Sequence, residues 1–213
     1  NEDFVEQIFI ANTHHYLLFF TNKGRVYRLR VYEVPEASRQ ARGTAIVNLI
    51  YLEKNEYVTT VIPVKRFAKD KYLLTVTTKG IVKKSDLSDY DTSRKDGIIA
   101  LGLGDEDELV GVRLTDGSKD IIIATYQGKC IRFCETEVRR MGRIAKGVKG
   151  INLAKDDRVV SMDIIDDDTE VVVITEEGFG KRTKATEHRR QGRAGKGVFA
   201  YKNNEKTGNL ASL

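Results

Sequence analysis

The sequence predicts an all-β fold in which one unit of about 50 residues is used four times. A turn glycine marks each unit, at Gly24, Gly80, Gly128 and Gly178. Each unit also contains four short runs rich in β-branched and aromatic residues, which are typical of strands. The chain shows no helical period longer than two turns. Repeats of this length favour a propeller or a stacked array.

The repeat predicts the domain organisation. A second glycine closes a loop 19, 17, 19 and 19 residues after the first, and no Gly/Ser-rich linker separates the units. These second glycines are Gly43, Gly97, Gly147 and Gly197. We expect a single domain over residues 1–213, or a fragment of one. Its repeats run approximately over 1–52, 53–104, 105–154 and 155–204, with the start of a fifth over 205–213.

The second run of each unit is the most apolar. In chain order these runs are HYLLFFT, KYLLTVT, DIIIATY and EVVVITE. Nearly continuous Val, Ile, Leu and Phe are expected of strands that are buried on both faces. Strands are also predicted for the first runs, IFIAN, VTTVIPV, LVGVRL and VVSMDI, and for the fourth runs, TAIVNLIYL, IIALGL, VKGINL and VFAYK. With the run after each turn glycine, this gives about four blades of four strands.

Composition and cysteine placement exclude several classes of protein. No run approaches the ~18 apolar residues of a membrane span, and the N-terminal residues lack the features of a signal peptide. We therefore expect a cytoplasmic protein with no membrane partner. Cys130 and Cys134 would lie about 13 Å apart along one strand, which is too far for a disulfide. His14, His15 and His188 are not placed to complete a zinc site, so no metal is expected.

Catalytic chemistry has little support in the sequence. The tripeptide Gly195-Lys196-Gly197 fails the phosphate-loop pattern, because Gly197 stands where Ser or Thr would hold magnesium. The acidic connectors EKNE, GDEDE and KDD recur between units, which indicates a solvated face. The chain has no metalloprotease or nucleophile-elbow motif. We expect no catalytic residue and no cofactor in this chain.

Positive charge is concentrated in one part of the repeat, although the formal net charge is only +5. The segments between paired glycines contain 22 basic and 9 acidic residues, whereas the remaining 139 residues contain 14 basic and 22 acidic residues. Equivalent loops of a cyclic or spiral repeat lie on the same side of the body. These segments therefore predict a curved cationic track along one edge, and the nucleic-acid backbone is the polyanion that matches such a track.

The candidate DNA-binding residues are cations of these four segments. They are Arg28, Arg30, Arg39, Arg42, Lys83, Lys84, Arg94, Lys95, Arg132, Arg139, Arg140, Arg143, Lys146, Lys181, Arg182, Lys184, Arg189, Arg190, Arg193 and Lys196. The chain has no recognition helix and no ordered aromatics for base stacking, which favours duplex DNA bound through phosphates without sequence specificity. Bending a short site costs roughly 1–6 kcal/mol, to be offset by phosphate contacts. About two phosphates per blade would give a log–log salt dependence with a slope of about −7. A protein-interaction propeller with an acidic partner is the alternative.

Long stretches of the chain resemble a known family. The run FVEQIFIANTHHYLLFFTNKGRVYRLRVYEVPEASRQARGTAIVNLI, the segment DELVGVRLTDGSKDIIIATYQGKCIRFCETEVRRMGRIAKGVKGINL and the closing EGFGKRTKATEHRRQGRAGKGV are similar to the C-terminal domain of DNA gyrase A. The resemblance implies a β-pinwheel, a propeller-like disc whose blades exchange strands and whose basic perimeter wraps DNA. It also implies two partners, the breakage-reunion domain and gyrase B. In that holoenzyme the wrap supports ATP-dependent negative supercoiling, and ATP and Mg²⁺ bind outside this chain.

The hallmark of this family is a seven-residue box, Gln-Arg-Arg-Gly-Gly-Lys-Gly, in its first blade. A box-like loop of this chain matches it at five of seven places. This loop consists of Gln191, Gly192, Arg193, Ala194, Gly195, Lys196 and Gly197. Because the neighbouring blades resemble the second to fifth of the family, we interpret it as the loop of a later blade. We expect the chain to bind and bend DNA but not to cleave it, since the family's catalytic tyrosine lies in another domain. The C-terminal domain of topoisomerase IV, which bends DNA without a full wrap, is the related alternative.

Overall fold

The computed structural model describes residues 5, 7–94 and 96–213, and within them it contains strands and short 3₁₀ turns. The strands are β1 (Tyr16–Thr21), β2 (Arg25–Arg30), β3 (Val58–Val64), β4 (Tyr72–Thr77), β5 (Ile81–Asp86), β6 (Ile98–Ile99), β7 (Leu109–Thr115), β8 (Asp120–Thr125), β9 (Lys129–Cys134), β10 (Val148–Lys149), β11 (Val159–Ile165), β12 (Glu170–Thr175), β13 (Gly180–Lys184), β14 (Val198–Phe199) and β15 (Leu210–Ser212). The 3₁₀ turns are Val31–Glu33, Ile46–Asn48, Leu87–Tyr90, Glu135–Glu137 and Ala185–Glu187. The all-β prediction is confirmed.

The strands form four antiparallel sheets. Sheet A has the order β3-β1-β2-β6, sheet B β7-β4-β5-β10, sheet C β11-β8-β9-β14 and sheet D β15-β12-β13. The predicted β-pinwheel is confirmed as a class. In the described residues, three blades have four strands and the last has three.

Each blade exchanges strands with its neighbour along the chain. The two central strands of a sheet form a hairpin of one repeat, and both outer strands come from the next repeat. In sheet B, for example, β4 pairs with β5, while β7 and β10 arrive from the third repeat. Neighbouring blades are therefore linked by backbone hydrogen bonds as well as by side-chain packing.

Two of the predicted strands are not formed. The run IFIAN (8–12) has no strand, and the run TAIVNLIYL (44–52) contains the 3₁₀ turn Ile46–Asn48. Equivalent runs of later repeats become outer strands by pairing with the hairpin of the preceding repeat. The described residues contain no hairpin before β1 for these two runs to join, so their backbone does not enter a sheet.

The core lies between successive sheets. One apolar cluster joins sheets A and B, a second joins B and C, and a third joins C and D. The strands β3, β7, β11 and β15 contact one another in series, so they form the hub of the disc. The opposite edges of the sheets, formed by β6, β10 and β14 and by β13 in sheet D, therefore lie toward the perimeter.

The turn glycines adopt the backbone conformation that tight hairpins require. Gly24, Gly80, Gly128 and Gly178 have φ between +69° and +85°, a region that favours glycine. The hairpin turns that they occupy were predicted from the polar residue before each glycine.

Each acidic connector also supplies a carboxylate that holds a hairpin turn. Glu56 accepts a hydrogen bond from the Thr21 hydroxyl at 2.6 Å, and Asp107 accepts one from the backbone N–H of Lys79 at 2.9 Å. Both carboxylates are buried. Asp157 accepts in the same way from a turn of the third repeat. The interpretation of the connectors as a purely solvated face is therefore corrected, because one acid in each is used structurally.

Candidate nucleic-acid interface

Three loops that carry cations lie against the outer sides of the blades; the second and third are strongly basic, whereas the first has as many acidic as basic residues. We call residues 91–97, 139–147 and 189–197 the perimeter loops. Each loop leads into a two-residue strand, β6, β10 or β14, which pairs with β2, β5 or β9 of the preceding blade. The loops therefore occupy equivalent places at the edge of the sheets that lies away from the hub.

Backbone hydrogen bonds fix the perimeter loop 139–147 to its neighbours. The Met141 N–H donates to the Lys84 carbonyl at 2.8 Å, and the Gly102 N–H donates to the Ala145 carbonyl at 3.3 Å. The Arg143 guanidinium donates to the Ile99 carbonyl. The loop is thus held at three places, at Met141, Arg143 and Ala145.

The perimeter loop 189–197 is anchored in a similar way. Its Gln191 N–H donates to the Arg132 carbonyl, and its Ala194 N–H donates to the Gly150 carbonyl, both at 2.8 Å. Arg193 donates from its side chain to the Lys149 carbonyl at 2.5 Å and from its backbone to a Glu137 carboxylate oxygen at 2.7 Å.

The box-like loop thus uses Arg193 for anchoring and leaves Lys196 exposed. Ala194 stands where the family box has glycine, and its φ is +65°. This conformation is unfavourable for an L-residue and explains the preference for glycine at that place. Gly197, which matches the box, has φ +67°, and a Cβ there would lie 2.6 Å from the Cys130 carbonyl oxygen.

Most of the predicted DNA-binding cations are exposed. These residues are Arg39, Arg42, Arg94, Arg139, Arg140, Lys146, Lys181, Arg182, Lys184, Arg189, Arg190 and Lys196. Arg140 forms a surface ion pair with Asp86 at 3.3 Å; an exposed pair of this kind is weak, so Arg140 can still meet phosphates. Arg190 differs, because it pairs at 2.8 Å with Asp120, whose side chain is buried. Lys95 lies outside the described residues.

Four further candidates are partly buried: Arg28, Arg30, Arg143 and Arg193. Arg28 pairs with Asp91 at 2.7 Å and stands over the ring of Tyr16. Arg30 stacks on the same ring at 3.7 Å from its centroid. The ring of Tyr16 orients the guanidinium groups of Arg28 and Arg30. Backbone carbonyls orient those of Arg143 and Arg193.

Three predicted interface residues are buried, and their assignment is corrected. Lys84 donates to the Glu135 carbonyl at 2.8 Å. Arg132 pairs with Asp120 at 2.7 Å and donates to the Ala185 carbonyl at 2.7 Å. Both cations hold the 3₁₀ turn of the next repeat. Burial lowers the pKa of Lys84, and the Glu135 charge partly offsets that effect.

Lys83 is the third buried cation. It is fully enclosed, and its amine donates to the carbonyls of Ala100 and Arg143. The pKa of Lys83 is lowered from 10.5 to about 8, chiefly by burial and also by the Arg143 charge, while Asp89 opposes the shift. Sequence reasoning could not separate these cations from the loop cations, because each of them also binds a group of the next repeat: the carbonyls of Arg143, Glu135 and Ala185 for Lys83, Lys84 and Arg132.

The two cysteines do not form a disulfide. Cys130 and Cys134 are free thiols, and burial raises the pKa of Cys130 to about 11. The Cys130 sulfur lies 3.2 Å from His188 Nδ1, a contact inside the protein. Among the described residues there is no group of three or more side chains that could hold a metal ion. No helix in that part of the chain is long and apolar enough to span a membrane.

The fold and this edge define a class, a propeller-like repeat domain with a cationic perimeter. A family model described as "DNA gyrase C-terminal domain, beta-propeller" matches residues 15–65, 71–116, 119–166 and 169–213. The chain belongs to this family, and the resemblance seen in the sequence is confirmed.

Relatives that carry the name DNA gyrase A share about half of the matched residues. The identity is 52% over 149 residues for the protein of Halalkalibacterium halodurans and 53% over 149 residues for that of Clostridium acetobutylicum, in each case over 70% of this chain. The corresponding value is 50% for Haemophilus influenzae. The match covers 17–18% of these relatives, so the matched part of the chain spans less than a fifth of their length.

Two solved structures share the fold over 94% of this chain. The C-terminal domain of DNA topoisomerase IV has a TM-score of 0.86 and 35% identity, and the match covers 62% of that chain. The C-terminal domain of DNA gyrase A has a TM-score of 0.79 and 26% identity, with 65% of that chain covered.

Proposed function

We propose that this domain binds duplex DNA along its perimeter, without sequence specificity as its main mode, and bends the DNA around the edge of the disc. The observation that carries the proposal is the equivalent placement of the perimeter loops on the outer edges of successive blades. Their exposed cations include Arg94, Arg139, Lys146, Arg189 and Lys196. A duplex that touches more than one loop must follow the curve of the edge.

The anchoring of the loops supports this function physically. Each loop is hydrogen-bonded to the preceding blade, so the spacing between successive loops is fixed before DNA arrives. Binding then orders little protein, and the phosphate contacts can offset the cost of bending, roughly 1–6 kcal/mol for a short site. The main driving force is the release of counterions from the phosphates.

In the whole protein, we propose that the wrap presents DNA to a breakage-reunion domain that acts together with gyrase B. The domain itself would be non-catalytic and would work in the bacterial cytoplasm. The ATP and Mg²⁺ used for negative supercoiling would bind to other parts of the holoenzyme. The names of the relatives support this assignment, since they are gyrase A proteins.

A second candidate is bending without a complete wrap, as a topoisomerase IV C-terminal domain. The likeness to that solved domain favours it, with a TM-score of 0.86. Ligation of a nicked plasmid in the presence of the protein separates the two. A wrap would trap a change in linking number, whereas a simple bend would leave the linking number unchanged.

The salt dependence of duplex binding tests the interface. We expect a log–log slope of about −7 for the native chain, and a slope smaller in magnitude by about 4 when Arg139, Arg140, Arg189 and Lys196 are all replaced by alanine. Fluorescence anisotropy on an arbitrary duplex measures both slopes.

A matched control replaces four exposed cations outside the perimeter loops. Lys65, Arg66, Lys69 and Lys155 are suitable, since all four are exposed. We expect this variant to keep more of the native slope than the loop variant. Equal losses in the two variants would show that total charge, and not the perimeter, governs binding.

A further inference from the structure

Two perimeter loops are similar in sequence, and one of their three differences places a large apolar side chain on the surface. Residues 139–147 read RRMGRIAKG and residues 189–197 read RRQGRAGKG, so six of nine positions are identical. Ile144 in the first loop corresponds to Ala194 in the second. Ile144 is 68% exposed, whereas Ala194 is half-buried. The loop sequence therefore does not require a large apolar side chain at this place.

The strand beneath each loop carries a different residue, and this residue contacts the loop in a different way. Three residues after the turn glycine, β5 carries Lys83 and β9 carries Ile131, and both are fully buried. Ile131 packs against Gly195, where an added Cβ would lie 3.3 Å from its Cδ1 atom. Lys83 instead donates to the Arg143 carbonyl, directly before Ile144. The amine thus supports the backbone of loop 139–147 from below.

Ile144 is held outward in this arrangement. The inward apolar position of the loop is filled by Met141, which packs against the cluster between sheets B and C. The backbone on either side of Ile144 is fixed, by the Arg143 carbonyl on Lys83 and by the Ala145 carbonyl on Gly102. A single exposed isoleucine is ordinary on a protein surface. This one differs because anchored backbone presents it among cations.

The surroundings of Ile144 identify the partner chemistry. Arg139 and Arg140 precede it and Lys146 follows it, and all three are exposed. Because Ile144 is exposed between these cations in the loop, a duplex whose phosphates they bound would bring base edges close to it. The only apolar group that base pairs present in a groove is the thymine C5-methyl, in the major groove, which is about 12 Å wide and admits protein elements.

We propose that Ile144 contacts thymine methyl groups in the major groove and gives this loop a modest preference for thymine. The proposal rests on the DNA binding proposed above and adds a specificity-determining residue to it. Loop 189–197, with Ala194 at the same place, supplies phosphate contacts alone. One buried methyl corresponds to about a fourfold change in affinity.

Deoxyuridine duplexes test this contact, because uracil lacks only the C5-methyl of thymine. We expect the native chain to bind a thymine duplex about fourfold more tightly than the same sequence with deoxyuridine. The Ile144→Ala variant should bind both duplexes equally and keep the native salt slope. Ile10→Ala, which removes a 98% exposed isoleucine outside the perimeter loops, is the matched control and should keep the preference.

The outcomes separate this contact from the function on which it rests. A native chain that binds both duplexes alike, with a steep salt slope, would overturn the methyl contact and leave phosphate binding intact. A preference that persists in Ile144→Ala would also overturn it. Loss of affinity in Ile144→Ala without any thymine preference in the native chain would assign Ile144 to the sugars instead. A native chain that binds neither duplex would remove the DNA-binding proposal itself.

Discussion

Sheets C and D follow one sequence plan but differ in how they are buried. All six residues of β8 in sheet C are buried, whereas β12 in sheet D alternates between exposed and buried positions. The strand after the turn glycine differs as well: β9 is mostly buried, and β13 is mostly exposed. The alternation of β12 is that of a sheet with one covered face.

The neighbouring blade causes this difference. Sheet C packs on sheet B through one apolar cluster and on sheet D through another. In the described chain, sheet D has a packed sheet on one face. The same contrast holds at the turns, since a Cβ on Gly128 would lie 2.3 Å from the Tyr201 carbonyl oxygen, while one on Gly178 would meet nothing within 4 Å.

The comparison teaches that a repeated residue takes its role from the next repeat. Arg132 and Arg182 occupy the same place, four residues after the turn glycine. The Arg132 side chain is 4% exposed and binds the Ala185 carbonyl and Asp167, both in the fourth repeat. The Arg182 side chain is 69% exposed and pairs with Glu170 within its own hairpin. Arg132 is therefore a structural cation, whereas Arg182 lies on the surface, where a ligand can reach it.

The largest expected effect comes from removing these two arginines separately. Arg132→Ala should lower the free energy of unfolding by about 3 kcal/mol, because it breaks a buried ion pair with Asp120 and removes the donor to the Ala185 carbonyl. Arg182→Ala should change it by at most about 0.5 kcal/mol, because its ion pair is exposed. Urea denaturation measures both values. Similar losses in the two variants would contradict the assignment of different roles.

The second prediction concerns sheet B, which carries Lys83 at the place where sheet C carries Ile131. The free energy of unfolding of the native chain and of Lys83→Met is compared as a function of pH. The folded pKa of Lys83 is about 8 and the ordinary value is 10.5. Between these values the unfolded chain holds a proton that the folded chain has mostly lost, so Lys83 makes stability rise with pH in this window. The rise is at most about 1.4 kcal/mol per pH unit, and below pH 8 the cost of the buried charge is fully present.

The Lys83→Met variant should lack the part of the rise in unfolding free energy that Lys83 contributes between pH 8 and 10.5. Urea denaturation of both proteins at several pH values between 7.5 and 10 gives the difference, which removes the contributions of other groups. Parallel profiles for the native chain and Lys83→Met would show that the amine titrates alike in the folded and unfolded states.

The smallest expected effect is a gain at Ala194. Its φ of +65° is unfavourable for an L-residue, so Ala194→Gly should raise the free energy of unfolding by roughly 0.5–1 kcal/mol. Ala145→Gly in the matching loop is the control, since Ala145 has no positive φ and should lose stability on the same change. Thermal denaturation measures both stability changes. A loss of stability in Ala194→Gly would show that the backbone of Ala194 is not strained.

Much of the fold was predictable because it is written in local patterns. The turn glycines and the apolar second runs identified the hairpins β1–β2, β4–β5, β8–β9 and β12–β13. The runs 8–12 and 44–52 were predicted as strands and are not, since an outer strand exists only where another repeat offers a hairpin edge. The loop cations were also predictable, because the segments between paired glycines carry the excess of positive charge.

The amino-acid sequence by itself determined the repeat, the all-β class and the gathering of cations into loops, because these follow from spacing and residue type along the chain. Only the tertiary structure decided which cations reach the surface. Lys83, Lys84 and Arg132 are buried because carbonyls and carboxylates from distant parts of the chain close around them. Burial is a property of the neighbouring blade, and no pattern within one repeat encodes it.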